Sequence, residues 1–279
     1  MCFNSRSADR EPAPRPARAQ QPRNNKSQGA AEEVPMQDID IGAPSTPPGQ
    51  VPAPERDERG LWVKHTQHEV TAENLQSALS HVASYLHERG QNMTLVAVGG
   101  AVNTMVLQSR RTTHDVDFFT QLLDQPHLAA LRDAARYAVD RSDAPLAADW
   151  LNNATARMPK VVENIDALVQ AAAVRQDVVV FERPGLRVLA DPWGYAFVKK
   201  VSRITQGTGR AYDGSDAVTY LHQFITTSNS NQPVAVDRIQ RWGETYKALC
   251  PEEVLRQVNE GYRKVYGRDG IVFLAGGRA

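Results

Sequence analysis

Two glycines and two carboxylates stand at opposite ends of one stretch of the chain, and this placement restricts its fold more than any other feature. Met93 to Val98 is mostly apolar and stops at Gly99-Gly100, while Val116-Asp-Phe-Phe119 opens a second apolar run. Short apolar runs bounded by glycine read as buried strands. Between them, Ala101 to Gln108 places Val102, Met105 and Val106 at helical spacing. The stretch therefore predicts strand, glycine turn, short helix and strand.

The same reading extends outward. From Thr71, the residues Leu75, Leu79, Val82 and Leu86 recur at helical spacing, with Gly90 placed as a C-terminal cap. Helices are expected over Pro126 to Val139 and Pro159 to Ala173, joined by the polar link Asp149-Trp-Leu-Asn-Asn. Asp177-Val-Val-Val-Phe181 and Leu186 to Leu189 flank Arg183-Pro-Gly185, which is a hairpin signal. Helices then follow from Pro192 to about Ile204, from Asp213 or Ser215 to about Ile225, over Val236 to Leu249 and over Pro251 to Tyr266. The fold class expected is α+β: a small mixed sheet flanked by helices, followed by a helical part.

Composition sets the limits of the folded region. Of the 17 prolines, 10 lie between Pro12 and Pro54, and between Asn4 and Leu61-Trp-Val no apolar run exceeds two residues. Such a segment cannot bury enough surface to offset the entropy of ordering it. Residues 1–58 are expected to be disordered, with a net charge of +4 over 1–26 and −6 over 27–58. A folded domain is expected over 59–230, with 231–279 a helical extension packed on it. The whole chain balances 32 basic against 32 acidic residues, which provides no broad field for duplex DNA. Cys2 and Cys250 are too few and too far apart for a disulfide framework, and neither a signal peptide nor a transmembrane segment is legible. An intracellular, cytoplasmic protein is expected.

Asp115 and Asp117 carry the chemistry. Two residues apart on a strand, their carboxylates share one face and repel, each raising the other's pKa unless a cation sits between them. Oxygen-only ligands of this kind suit Mg²⁺, which keeps several waters and shares substrate phosphates. Gly99 and Gly100 allow a sharp turn and close approach of a ligand, and the helix after them offers N–H groups to an anion. Arg110, Arg111, Thr112 and Thr113 precede the carboxylates and supply donors for further phosphate oxygens. No Gly-x-Gly-x-x-Gly, P-loop or Gly-x-Ser-x-Gly pattern occurs.

Gly99-Gly100, then about ten residues, then Arg111-x-Thr113-x-Asp115-x-Asp117 resembles the signature of the polymerase-β-like nucleotidyltransferase superfamily, closest to its minimal toxin-type and uncharacterised fungal members. The resemblance extends to Leu186 through Arg203, a strand leading to a helix with a Lys and then an Arg, and to Arg210-Ala-Tyr-Asp213-Gly-Ser-Asp216. It implies that Gly99 and Gly100 cradle a nucleoside triphosphate, with Arg111, Thr113 and Arg203 around it. It implies also that Asp115 and Asp117 hold two Mg²⁺ ions with a third carboxylate, for which Asp177 is the candidate and general base and Glu182 the runner-up. Lys199 lies four residues from Arg203, on the same helix face, and is expected to stabilise the transferring phosphate; Lys200 points roughly 100° away and is the alternative.

The acceptor hydroxyl is left open between an RNA end, a protein and a small molecule. If neither Asp177 nor Glu182 faces the pair, a degenerate member that binds nucleotide or protein is the alternative. Asp-x-Asp also marks metal-dependent glycosyltransferases, but there the pair follows an apolar strand and here it precedes one. His65-x-x-His68 lacks partners for zinc, His114 is expected on the opposite strand face from the carboxylates, and Trp150, Trp193 and Tyr195 are expected in the core.

Overall fold

The computed structural model describes residues 49–51, 59, 61, 63, 66–121 and 124–273. The N-terminal tail expected to be disordered lies largely outside these. Gly49 to Val51 do not fit that expectation. Val51 is buried; its N–H donates to Asn153 Oδ1 at 2.8 Å, and Asn153 Nδ2 donates to the Gly49 carbonyl at 2.7 Å. One apolar side chain and a reciprocal amide outweigh a proline-rich local composition here.

The chain enters through a two-residue strand, β1 (Val70–Thr71), into α1 (Ala72–His87). Thr71 caps this helix, its hydroxyl accepting from the Asn74 N–H at 3.3 Å. The face containing Leu75, Leu79, Val82 and Leu86 is buried as its spacing predicts. Next come β2 (Met93–Val98), α2 (Gly100–Met105), the short β3 (Thr112–Thr113), β4 (Val116–Phe119) and α3 (Gln125–Arg141). Strand, glycine turn, helix and strand thus form in the order read from the sequence.

The link after α3 holds a strand that its polarity concealed, β5 (Leu151–Asn152), with Trp150 fully buried beside it. The expected helix over Pro159 to Ala173 is broken into α4 (Pro159–Val162), α5 (Ile165–Gln170) and a wider π-type turn over Ala171–Gln176. The hairpin is present as β6 (Val179–Arg183) and β7 (Leu186–Ala190). Then follow α6 (Trp193–Thr205), α7 (Asp213–Ser228), β8 (Val234–Ala235), α8 (Val236–Tyr246), α9 (Glu252–Tyr266) and β9 (Ile271–Val272).

Five strands form one mixed sheet in the order β5-β4-β2-β7-β6. β4 runs antiparallel to β2, β7 and β2 run parallel, and β5 runs parallel to β4. α1 packs on α3, and α6 packs on α7 and α8, so helices flank the sheet. The Tyr195 ring of α6 meets Phe119 of β4 edge-on at 6.0 Å. α6 therefore lies over the sheet face that also carries Asp117, two residues from Phe119. α8 and α9 pack on α6 and α7 within one core. No helix among the described residues is long and apolar enough to cross a membrane.

Candidate functional site

At the ends of β2 and β4 a polar cleft of about 550 Å³ opens. Its walls gather Gly99, Gly100, Arg110, Arg111, Thr112, Thr113, Asp115 and Asp117 from the first motif, and Lys200, Arg203, Arg210 and Tyr212 from α6 and the turn after it. Residues about a hundred positions apart meet because β2 is central: its C-terminal end lies beside the start of β4, and α6 crosses the face above.

Gly99 and Gly100 have separate reasons to be glycine. Gly99 has φ +66°, a backbone region that L side chains rarely adopt, and the space where a Cβ would stand is open. At Gly100 a Cβ would fall 2.1 Å from Thr113 Oγ1, so the helix start and β3 approach too closely for any other residue. Gly100 thus makes room for Thr113, whose hydroxyl reaches the Asp115 carbonyl at 3.4 Å. α2 has six residues, and the Gly99 carbonyl is taken by Asn103 and by Tyr220 Oη. Attraction for an anion therefore rests mainly on side-chain cations rather than on the short helix.

The two carboxylates are half-buried and close enough to perturb each other. Asp117 is pushed up to about 7, first by burial and then by the Asp115 charge, with Asn152 pulling the other way. Asp115 is also raised, by burial and by Asp149, whereas His114, Arg210 and Asn152 oppose the shift. His114 lies on the cleft wall beside Asp115 instead of on the far face, because β4 begins only at Val116. Its ring Nδ1 lies 3.1 Å from the His68 carbonyl, while His65 lies outside the described residues.

Opposite the carboxylates, the basic residues are held by α7. Lys200 is almost fully buried and lies 2.8 Å from both Asp213 and Asp216. Arg110 pairs with Asp216 and stacks over Tyr212 at 3.6 Å; Arg203 lies 3.4 Å from Asp213. The Arg210 N–H donates to Asp213 at 2.8 Å. Burial works to raise Asp213, yet the Lys200 hydrogen bond and the Arg210 N–H hold it below the usual carboxylate range. Two acids thus fix three cations in place along one wall.

Lys199, the residue favoured by spacing, is not on that wall. It is half-buried over the Tyr195 ring at 5.9 Å, and burial lowers its pKa although the Cys250 thiol opposes the shift. Lys200 and Arg203, three apart, share the cleft face of α6, so the choice between the two lysines inverts. Burial also pushes the Cys250 thiol, which is a free cysteine, up to about 12.

Asp177 and Glu182 are likewise elsewhere. Both are 58% exposed and both face Arg187, with Asp177 at 2.7 Å and Glu182 at 3.6 Å. The sheet order explains this: β2 and β7 lie between β4 and β6, a separation of roughly 14 Å at the usual strand spacing. The strand on the free side of β4 is β5, where Asn152 stands opposite Asp117 with its Nδ2 3.5 Å from Asp115 Oδ2. An amide holds the place next to the pair.

Sequence reading also passed over Asp191. It directly follows β7, is fully buried, and neither carboxyl oxygen meets a hydrogen-bond partner among the described residues. Burial raises it well above the carboxylate range, with Lys200 opposing. Its one signal was position, at the end of an apolar strand where a charge is unexpected.

Among the described residues no three His, Cys, Asp or Glu side chains converge as a metal cage. Asp115 and Asp117 could hold a divalent cation only if other oxygens, such as water, completed its shell. They do not fit a two-ion site closed by Asp177.

Residues 67–269 match the domain of unknown function DUF7582. The chain belongs to the DUF7582 family. Searches of curated proteins and of solved structures find no match. The matched DUF7582 segment includes every residue of the cleft wall from Gln67 to Tyr212.

Proposed function

We propose that the protein is a nucleotidyltransferase-like, Mg²⁺-dependent nucleoside triphosphate-binding protein that transfers a nucleoside monophosphate to an acceptor hydroxyl, in the cytoplasm. One observation carries this reading: a single cleft sets a desolvated carboxylate pair against a wall of cations anchored by Asp213 and Asp216. Asp115 and Asp117 would hold Mg²⁺, which when bound polarises a phosphoryl oxygen and neutralises its charge. Lys200 and Arg203 supply positive charge toward the triphosphate, and their ion pairs pre-organise them so that little reorganisation accompanies binding. Arg111, exposed at the rim, and Arg110 extend this field, and the open space at Gly99 admits a phosphate close to the backbone.

A second reading, a nucleotide-binding member without transferase activity, is favoured by Asn152 standing opposite Asp117 and by the distance of Asp177 from the pair. Two measurements separate them. Calorimetry of the full chain with ATP, CTP, GTP and UTP in Mg²⁺ should show binding that Asp115→Asn/Asp117→Asn abolishes; no heat with any nucleotide overturns both readings. Incubation with α-labelled nucleotides and cell extract should then label an acceptor in wild type and not in the double variant. Binding without labelling selects the second reading.

A further inference from the structure

Beyond the turn that ends the cleft, a second and larger hollow of about 700 Å³ lies between α7 and α9. Its character is opposite to that of the cleft. Val254, Val258, Gly261 and Val265 lie at successive turns of α9 and form one wall, Val218 stands on α7, and Ile204 at the end of α6 forms part of the lining. The hydroxyls of Ser215 and Thr219 donate to backbone carbonyls of residues 212 and 215, each at 2.9 Å, so their polarity is spent within the chain. Tyr266 stiffens one wall, its ring stacked on His222 at 3.8 Å.

Two features indicate a ligand. Gly214 lines the hollow in the first turn of α7, its φ is ordinary, and a Cβ there would meet no atom within 4 Å. Neither backbone strain nor crowding explains a glycine in that helix, and its effect is to keep the space open. Finally, the charged residues of the lining are Arg210 and Lys264, both cationic, with no carboxylate among them. A mainly apolar hollow of this volume with few polar groups has the character of a small-molecule site and not of a protein-docking plane.

We propose that this hollow is a binding site for a small amphiphilic acid, with its apolar body between α7 and α9 and its anionic head at Lys264, near the end of α9. The site is distinct from the nucleotide cleft and does not depend on the nucleotidyltransferase reading. Arg210 lines both spaces, so the hollow adjoins the cleft.

The test uses the full-length chain, with 8-anilinonaphthalene-1-sulfonate as a fluorescent probe and dodecanoate as competitor. Dodecanoate should displace the probe, and dodecanol, with the same chain and no charge, should compete at least about tenfold less well. Gly214→Leu fills the hollow with a better helix former, so the fold should survive and thermal melting should stay unchanged or rise. It should weaken dodecanoate by about tenfold or more, and Lys264→Glu should weaken dodecanoate while leaving dodecanol unchanged. Failure of dodecanoate to compete, equal binding by a folded Gly214→Leu variant, or equal competition by dodecanol would each overturn the proposal.

Discussion

The two lysines at the middle of α6 differ by one position and by almost everything else. Lys200 is shared by two buried carboxylates, and removing it leaves Asp213 with Arg203 and Asp216 with Arg110 as their cationic partners in a low dielectric. Lys200→Met is expected to cost about 3–5 kcal/mol in urea unfolding, the range for breaking a buried pair from one side. Lys199→Met should cost under about 1 kcal/mol, since it removes a half-buried lysine from an aromatic surface. Asp117 gives a pH test at the same scale. Its folded pKa of about 7 lies above that of an unfolded Asp, so the folded state favours the proton and stability falls as pH rises from about 4 to 7, then levels. Asp117→Asn should raise the melting temperature at pH 8 by a few degrees, with the gap closing toward pH 5. Mg²⁺ should stabilise the wild type more at pH 8 than at pH 6, because a cation needs the ionised carboxylate.

Among the elements, the turn from β2 into α2 controls how β3 reaches the cleft. Gly100 and Thr113 are in contact across it, and a methyl group at Gly100 would overlap the Thr113 hydroxyl. Gly100→Ala should therefore destabilise the chain by about 1–3 kcal/mol, and Thr113→Ala in the same chain should restore part of the loss. A double-mutant cycle on thermal or urea unfolding should show a coupling above about 0.5 kcal/mol; strict additivity would separate the two residues. Most elements were legible at this scale, since α1, β2, the β6–β7 hairpin and α6 to α9 follow spacing and caps. β5 was not, because a two-residue strand within Asp149-Trp-Leu-Asn-Asn looks like a loop. It becomes a strand only through pairing with β4 and burial of Trp150. The helix expected over Pro159 to Ala173 also failed, broken at Glu163–Asn164 and widened at Ala171 by contacts that periodicity does not contain.

Over the whole molecule, the fold is closed by a segment that composition assigned to the tail. Asn153, buried, accepts from Val51 and donates to Gly49, and the Arg132 Nε–H donates to the Gln50 carbonyl at 2.9 Å. Asn153→Ala in the full chain should cost about 1–3 kcal/mol in unfolding by urea. The same substitution in a chain beginning at residue 59 should cost much less, because the partners are already gone.

By itself, the sequence determined the strand–turn–helix–strand unit, the Asp115/Asp117 pair and the mixed sheet with helices, because these rest on spacing within about twenty residues and on local steric rules. Which lysine meets the cleft, that Asp177 lies across the sheet at Arg187, that Asn152 stands beside the carboxylates and that Asp191 is buried were decided only by the tertiary structure. Each depends on strand order or helix facing, set by how the whole core packs and not by any local pattern.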